Sequence, residues 1–240
     1  MPRKKLYNAK KKVAYRRKRT SRRYKKKAIP LAGLRQTELV KFRFVTNVVL
    51  DAPSTGMVAT QQYRAASIYD PDYSGVGTSV QNYSEYEANY AHYMVLGSKI
   101  TIKQLATLST ATTPGMWGIT LARNLNSISP ASTSALDILR SSGSYGGNIG
   151  YKVAGGHSPN SVTVNRRTFS ARKFYQIPKK DSVFTYETLH ALFGQNPTEE
   201  PTYTLWFGNC VSGGDPNAQV FQVTIDYITK VWEPRYQTDI

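Results

Sequence analysis

The stretch QVFQVTIDYITKVW (219–232) puts Phe221, Val223, Ile225 and Tyr227 on one side and Gln222, Thr224 and Asp226 on the other. A period of two sends successive side chains to opposite faces of a pleated strand, and no helix satisfies it. Pro234, which has no N–H to donate, ends the segment. ELVKFRFVTNVVL (38–50) has the same rhythm, with Val40, Phe42, Phe44, Val48 and Leu50 opposite Lys41, Arg43 and Asn47. SKITIKQLATL (98–108) repeats it through Ile100, Ile102, Ala106 and Leu108. GMWGITLARN (115–124), SVTVNRRTFSARKFY (161–175) and TYTLWFGNCV (202–211) read as further strands, and DAPSTG (51–56) carries turn chemistry.

Helices are expected to be short and peripheral. SEYEANYAHYM (84–94) opens on a Ser84…Glu87 capping-box pattern, with Tyr83, Tyr86, Tyr90 and Tyr93 at helical spacing; STSALDILRSS (132–142) reads as a second helix. No β-α-β alternation and no internal repeat occurs. Tyr outnumbers Phe 17 to 8, which suits half-buried pleated surfaces. The pattern predicts an all-β chain, an antiparallel sandwich or jelly roll.

Charge divides the chain. Residues 1–27 hold 15 of its 32 Lys and Arg: Arg3, Lys4, Lys5, Lys10, Lys11, Lys12, Arg16, Arg17, Lys18, Arg19, Arg22, Arg23, Lys25, Lys26 and Lys27. The first acid is Glu38, so residues 28–240 carry 17 bases against 15 acids, a net of +2. Fifteen like charges repel, and Leu6, Tyr7, Val13, Tyr15 and Tyr24 bury too little area to offset backbone ordering. A disordered basic N-terminal arm (1–27), a hinge (28–36) around AIPLAG, and one folded domain (37–240) are the expected organisation. Such density exceeds what solubility needs and points to a polyanion, with nucleic acid favoured. Tyr7, Tyr15 and Tyr24 fit either stacking on unpaired bases or passive residence in a tail. RRKR (16–19) and YKKK (24–27) also fit nuclear import signals.

A second acid-free run, RRTFSARKFYQIPKK (166–180), holds Arg166, Arg167, Arg172, Lys173, Lys179 and Lys180 among Phe169, Phe174 and Tyr175. It reads either as a folded nucleic-acid patch or as an edge strand and loop with ordinary surface cations. Strand alternation sends Arg166 and Arg167 to opposite faces. The segment from Tyr69 to Tyr93 combines six tyrosines with Asp70, Asp72, Glu85 and Glu87. Its loop suits a subunit interface, while its helix suits packing on its own domain.

Signals for catalysis are poor. His92, His157 and His190 are widely spaced, GVGTSV (75–80) lacks the third glycine of a dinucleotide fingerprint, and no phosphate loop occurs. Asp70 and Asp72 alone are weak evidence for a cation site. The single Cys210 excludes an intrachain disulfide and a thiolate-rich zinc site, which fits folding in an intracellular compartment. No apolar run is long enough to span a bilayer, and no secretory leader is recognised at the N-terminus. No enzyme activity, cofactor, metal or membrane insertion is expected.

In its basic leader MPRKKLYNAKKKVAYRRKRTSRRYKKK, its central FSARKFYQIPKK and its ending FQVTIDYITKVWEPR, the chain resembles capsid proteins of circular Rep-encoding single-stranded DNA viruses, the circovirus-like group. The resemblance implies a single jelly roll, sixty copies of which close an icosahedral shell around circular single-stranded DNA. The arm would face inward and engage the host nuclear import machinery; the host-cell receptor is not specified. It assigns nucleic-acid contact to the basic residues of 3–27 and, less directly, to those of 166–180. Two alternatives stay open at this point: a small RNA-virus capsid protein, and a cellular nucleic-acid-binding protein with a basic tail.

Overall fold

The computed structural model describes residues 35–52, 58–75, 78–107, 115–123, 151–154, 163–209 and 218–235. The chain divides into two units, Met1–Gly33 and Leu34–Ile240, and every described residue belongs to the second. The arm, most of the hinge, the segment 132–142, His157 and Cys210 lie outside the described residues.

Nine strands are described: β1 (Thr37–Leu50), β2 (Ala59–Arg64), β3 (Tyr90–Thr107), β4 (Gly115–Ala122), β5 (Tyr151–Ala154), β6 (Val164–Ser170), β7 (Ala191–Leu192), β8 (Thr202–Asn209) and β9 (Gln219–Pro234). They form two antiparallel sheets. One has the order β1-β9-β3-β6, with β7 also pairing β3; the other has the order β2-β8-β4-β5. Setting the two-residue β7 aside, each successive pair of strands (β1/β2, β3/β4, β5/β6, β8/β9) gives one strand to each sheet, and the last strand returns beside the first. That interleaving is the double Greek key of a jelly roll.

The alternating residues build the core as the period requires. Phe42, Phe44, Ile100, Ile102, Phe221, Val223, Ile225 and Tyr227 are buried on the inner face of the five-stranded sheet. From the other sheet come Tyr63, Trp117, Ile119, Leu121, Tyr203, Leu205 and Phe207. Trp117 and Phe221 meet at 5.2 Å between ring centroids, and Phe207 and Phe221 at 6.1 Å. Each such side chain contributes roughly 1.5–3 kcal/mol when removed from water. Two buried hydroxyls bridge the layers: Tyr227 donates to the Arg64 carbonyl at 2.8 Å, and Ser98 donates to the Ala65 carbonyl at 2.6 Å.

The two sheets differ on their outer faces. Every residue of β8 is buried, as is all of β4 except its last residue, so these two central strands are covered on both faces. β1, by contrast, alternates between inward burial and outward exposure along nearly its whole length.

Two expectations require correction. The helix expected over 84–94 is α1 (Tyr83–Asn89), and its N-cap is Asn82 in a left-handed conformation with no side-chain cap bond. The capping box at Ser84 and Glu87 is therefore not formed. From Tyr90 the chain is already β3, where Tyr90, Tyr93 and Met94 are buried. Tertiary pairing with β9 outweighs a local helical spacing of tyrosines. The strand expected over 161–175 ends at Ser170; Ala171–Phe174 turn helically (α2), and a left-handed Gln176 follows.

Candidate nucleic-acid interface

Within 166–180 the six cations have different environments. Arg166 is exposed on the outer face of β6, opposite Thr101 of β3. Arg167 pairs in register with the fully buried Ile100 and is turned inward. Burial pulls its guanidinium below the ordinary arginine value, partly opposed by the nearby Tyr203. Arg172 is engaged with its own loop, donating to the backbone carbonyls of Pro178 and Asp181. Lys173, Lys179 and Lys180 are exposed. Phe169 is core, and Phe174 and Tyr175 pack edge-on against it. The run is thus a strand edge followed by a stapled loop, with its cations distributed over more than one direction.

The remaining sequence candidates are engaged structurally. Asp70 and Asp72 flank Arg64: Arg64 Nη1 lies 3.1 Å from Asp70 Oδ2 and donates to the carbonyls of Asp70 and Asp72 at 2.8 and 3.2 Å. Glu200 Oε1 is 3.4 Å from Arg64 Nε, and the guanidinium lies 4.3 Å from the Tyr73 ring centroid. Two histidines far apart in sequence meet at Trp232. His92 stacks on it at 5.5 Å, His190 meets it edge-on at 5.0 Å, and His92 Nε2 is 3.0 Å from Glu233. Burial lowers the His190 pKa; Glu187 opposes that, and His92 and Lys230 add to it. Among the described residues no group of three metal-ligating side chains gathers.

What the linear reading missed is the outer face of the five-stranded sheet. Cross-strand register aligns Arg43, Asp226, Lys99 and Thr168 in one row. Beside it run Lys41, Ile228, Gly97 and Ser170 on one side, and Val45, Thr224, Thr101 and Arg166 on the other. Lys103 lies one row further, opposite Gln222. Lys41, Lys99, Lys103 and Arg166 are exposed and form no ion pair among the described residues. Asp226 is the single acid in these rows, and Arg43 Nε holds it at 2.6 Å. Five cations less one acid leave +4 on this face. Lys230, further along β9, is instead occupied over the Phe184 ring at 3.5 Å. The signal is present in KFRF and SKITIK, where the cations fall two and four residues apart and so share a strand face, but only the register joins those segments.

Solved structures similar to this chain come from viruses. The capsid protein of Penaeus vannamei nodavirus, a deletion mutant in a T=1 subviral particle, is 10% identical over 82% of this chain and 98% of that one, at a TM-score of 0.49. The decameric BFDV capsid protein is 8% identical over 81% and 99%, at 0.42. Desmodium yellow mottle tymovirus gives 17% identity over 88% and 97%, at 0.39. No protein-family model and no curated protein matches the chain. No residue role passes from these structures to this chain.

Proposed function

We propose that this chain is a viral capsid protein that assembles with copies of itself into a small icosahedral shell and packages single-stranded DNA through residues 3–27. One observation carries the reading: a jelly roll of order β1-β9-β3-β6 and β2-β8-β4-β5 is joined to a leader of 15 cations and no carboxylate. Jelly rolls serve shells, lectins and small-molecule enzymes alike. Concentrated, uncompensated charge beside such a domain selects the polyanion-enclosing use. Sixty leaders would present on the order of 900 positive charges to packaged phosphates, releasing condensed counterions. The near-neutral remainder lets like subunits approach. The same leader, through RRKR and YKKK, would direct the protein to the host nucleus before assembly.

Electron microscopy and nuclease digestion of the purified full-length protein test this. Uniform particles whose nucleic acid is destroyed by deoxyribonuclease after opening are expected. Replacing the 15 arm cations by glutamine should leave particles with little nucleic acid. A subunit that never associates when single-stranded DNA is supplied overturns the shell. Content destroyed only by ribonuclease moves the packaged polymer to RNA.

A further inference from the structure

We infer that the outer face of the five-stranded sheet is a second, folded binding surface for the single-stranded nucleic acid, centred on Lys41, Lys99, Lys103 and Arg166. This rests on the packaging function proposed above and adds a surface of the jelly roll itself to the arm.

Shape comes first. The register between β3 and β9 slips between Val95 and Gly97, a bulge at Leu96. Around it the sheet face opens into a depression of about 810 Å³, lined by Leu96, Gly97 and Ile228 together with Lys41, Lys99 and the Asp226 carboxylate that Arg43 holds. Gly97 keeps the floor low, and a Cβ there would already meet the Phe169 carbonyl oxygen at 3.0 Å. Apolar side chains beside two amines unpaired among the described residues, with the one carboxylate already neutralised by Arg43, suit a nucleotide unit, its base against Leu96 and Ile228 and its phosphates against Lys41 and Lys99. Lys99 and Lys103 are four residues apart along β3, about 13 Å at the usual strand rise, and Arg166 lies one strand over opposite Thr101, so the three form separate charges along a track.

Charge then selects the occupant. Leu39, Val45, Val49 and Ile228 are exposed on the same face, so apolar contact alone would admit another protein. A second copy presenting this face would bring +4 against +4. The acid-rich segment of a second copy offers little, because Asp70 is engaged by Arg64 and Asp72 accepts from Gln61 at 2.7 Å and from the Ser74 amide at 3.0 Å, which leaves the exposed Glu85 and the half-buried Glu87 to set against +4. The chain's own arm is cationic. A phosphate polymer complements both the charge and the mixed surface. The chain that bears the arm enters the fold as β1, which carries Lys41 and Arg43.

The test uses the full-length chain and a variant with Lys41→Gln, Lys99→Gln, Lys103→Gln and Arg166→Gln. Each is titrated with a short fluorescent oligothymidylate containing 4-thiothymidine, over a series of salt concentrations. Loss of four phosphate contacts should lower the slope of log affinity against log salt by about 3. Photo-crosslinks to peptides spanning 96–103 and 164–168 should disappear with it. A triple Lys→Arg variant at 41, 99 and 103 should keep the slope, separating charge from folding. An unchanged slope with crosslinks confined to 1–27 overturns this surface while the arm reading stands. A changed sedimentation pattern at unchanged slope assigns the face to subunit contact and also overturns it. If neither protein binds the oligonucleotide, the packaging function itself falls, and this surface with it.

Discussion

Arg43 and Asp226 face each other across β1 and β9, with Nε and Oδ1 2.6 Å apart, both exposed on the outer sheet face. The hydrogen bond with Asp226, followed by its charge, raises the Arg43 pKa. Asp226 thereby neutralises one of the five cations in these rows. Replacing Asp226→Asn should leave the melting temperature unchanged, because exposed pairs are nearly neutral for stability. It should release Arg43, steepening the salt dependence of oligothymidylate binding by about 0.7 if the freed guanidinium takes up one phosphate. Weaker binding by this variant would show that the pair acts by ordering Arg43 rather than by masking it.

Arg64 is the structural counterpart of that surface pair. Its guanidinium ties Asp70, Glu200, two loop carbonyls and the Tyr73 ring to the end of β2, and its own carbonyl accepts from Tyr227. Arg64→Ala strands two partly buried carboxylates and should cost about 3 kcal/mol or more in urea unfolding. Arg64→Lys should recover little, since one ammonium cannot reproduce the planar fork or its stacking. A loss below about 1 kcal/mol for the alanine variant would mean water replaces the whole cluster.

Both arginines take a partner from a distant part of the chain, which the sequence does not display, whereas the long strands are legible. Each long strand was visible because one face is buried and the other is wet, which writes a period of two into 38–50, 98–105 and 219–232. β4 and β8 are buried on both faces, so they were recognisable as apolar runs without a readable direction. α1 was overextended because Tyr83, Tyr86, Tyr90 and Tyr93 fit a helix locally, although Tyr90 and Tyr93 are strand residues fixed by pairing with β9. The outer sheet face was invisible for a different reason. A net of +2 over residues 28–240 averages acids and bases that the register later separates. The same averaging hid Arg64, whose partners Asp70 and Glu200 are joined only by the fold.

Gly118 tests the covered sheet. It pairs with Trp206, and a Cβ there would lie 2.5 Å from the Trp206 ring, closer than real contacts allow. Trp206 is fully buried. Gly118→Ala should therefore destabilise by about 1–3 kcal/mol through overpacking, measurable as a lower urea midpoint. Trp206→Leu in the same chain should recover part of that loss despite being destabilising alone. Strict additivity of the two changes would refute direct contact as the cause.

Alkaline pH should unfold the jelly roll through its tyrosines. Burial raises the pKa of Tyr63, Tyr93, Tyr175, Tyr203 and Tyr227 well above the ordinary phenol value, and that of Tyr83 to about 12. In the unfolded chain these phenols titrate near their ordinary value of about 10. Below that pH both states hold the proton, and the stabilisation is fully present. Above it the unfolded chain loses protons that the folded chain retains, so stability falls as pH rises. For Tyr83 the fall is complete as pH passes about 12, and the more deeply buried phenols extend it beyond. Each phenol in this window adds about 1.4 kcal/mol per pH unit to the slope. Urea midpoints measured upward from pH 8 should be level at first and then drop steeply above about pH 10. Tyr227→Phe should flatten that drop by one proton's worth, while losing about 1 kcal/mol at neutral pH with its bond to the Arg64 carbonyl. A stability curve that stays level through this range would mean that the buried phenols ionise in place, with water reaching between the sheets.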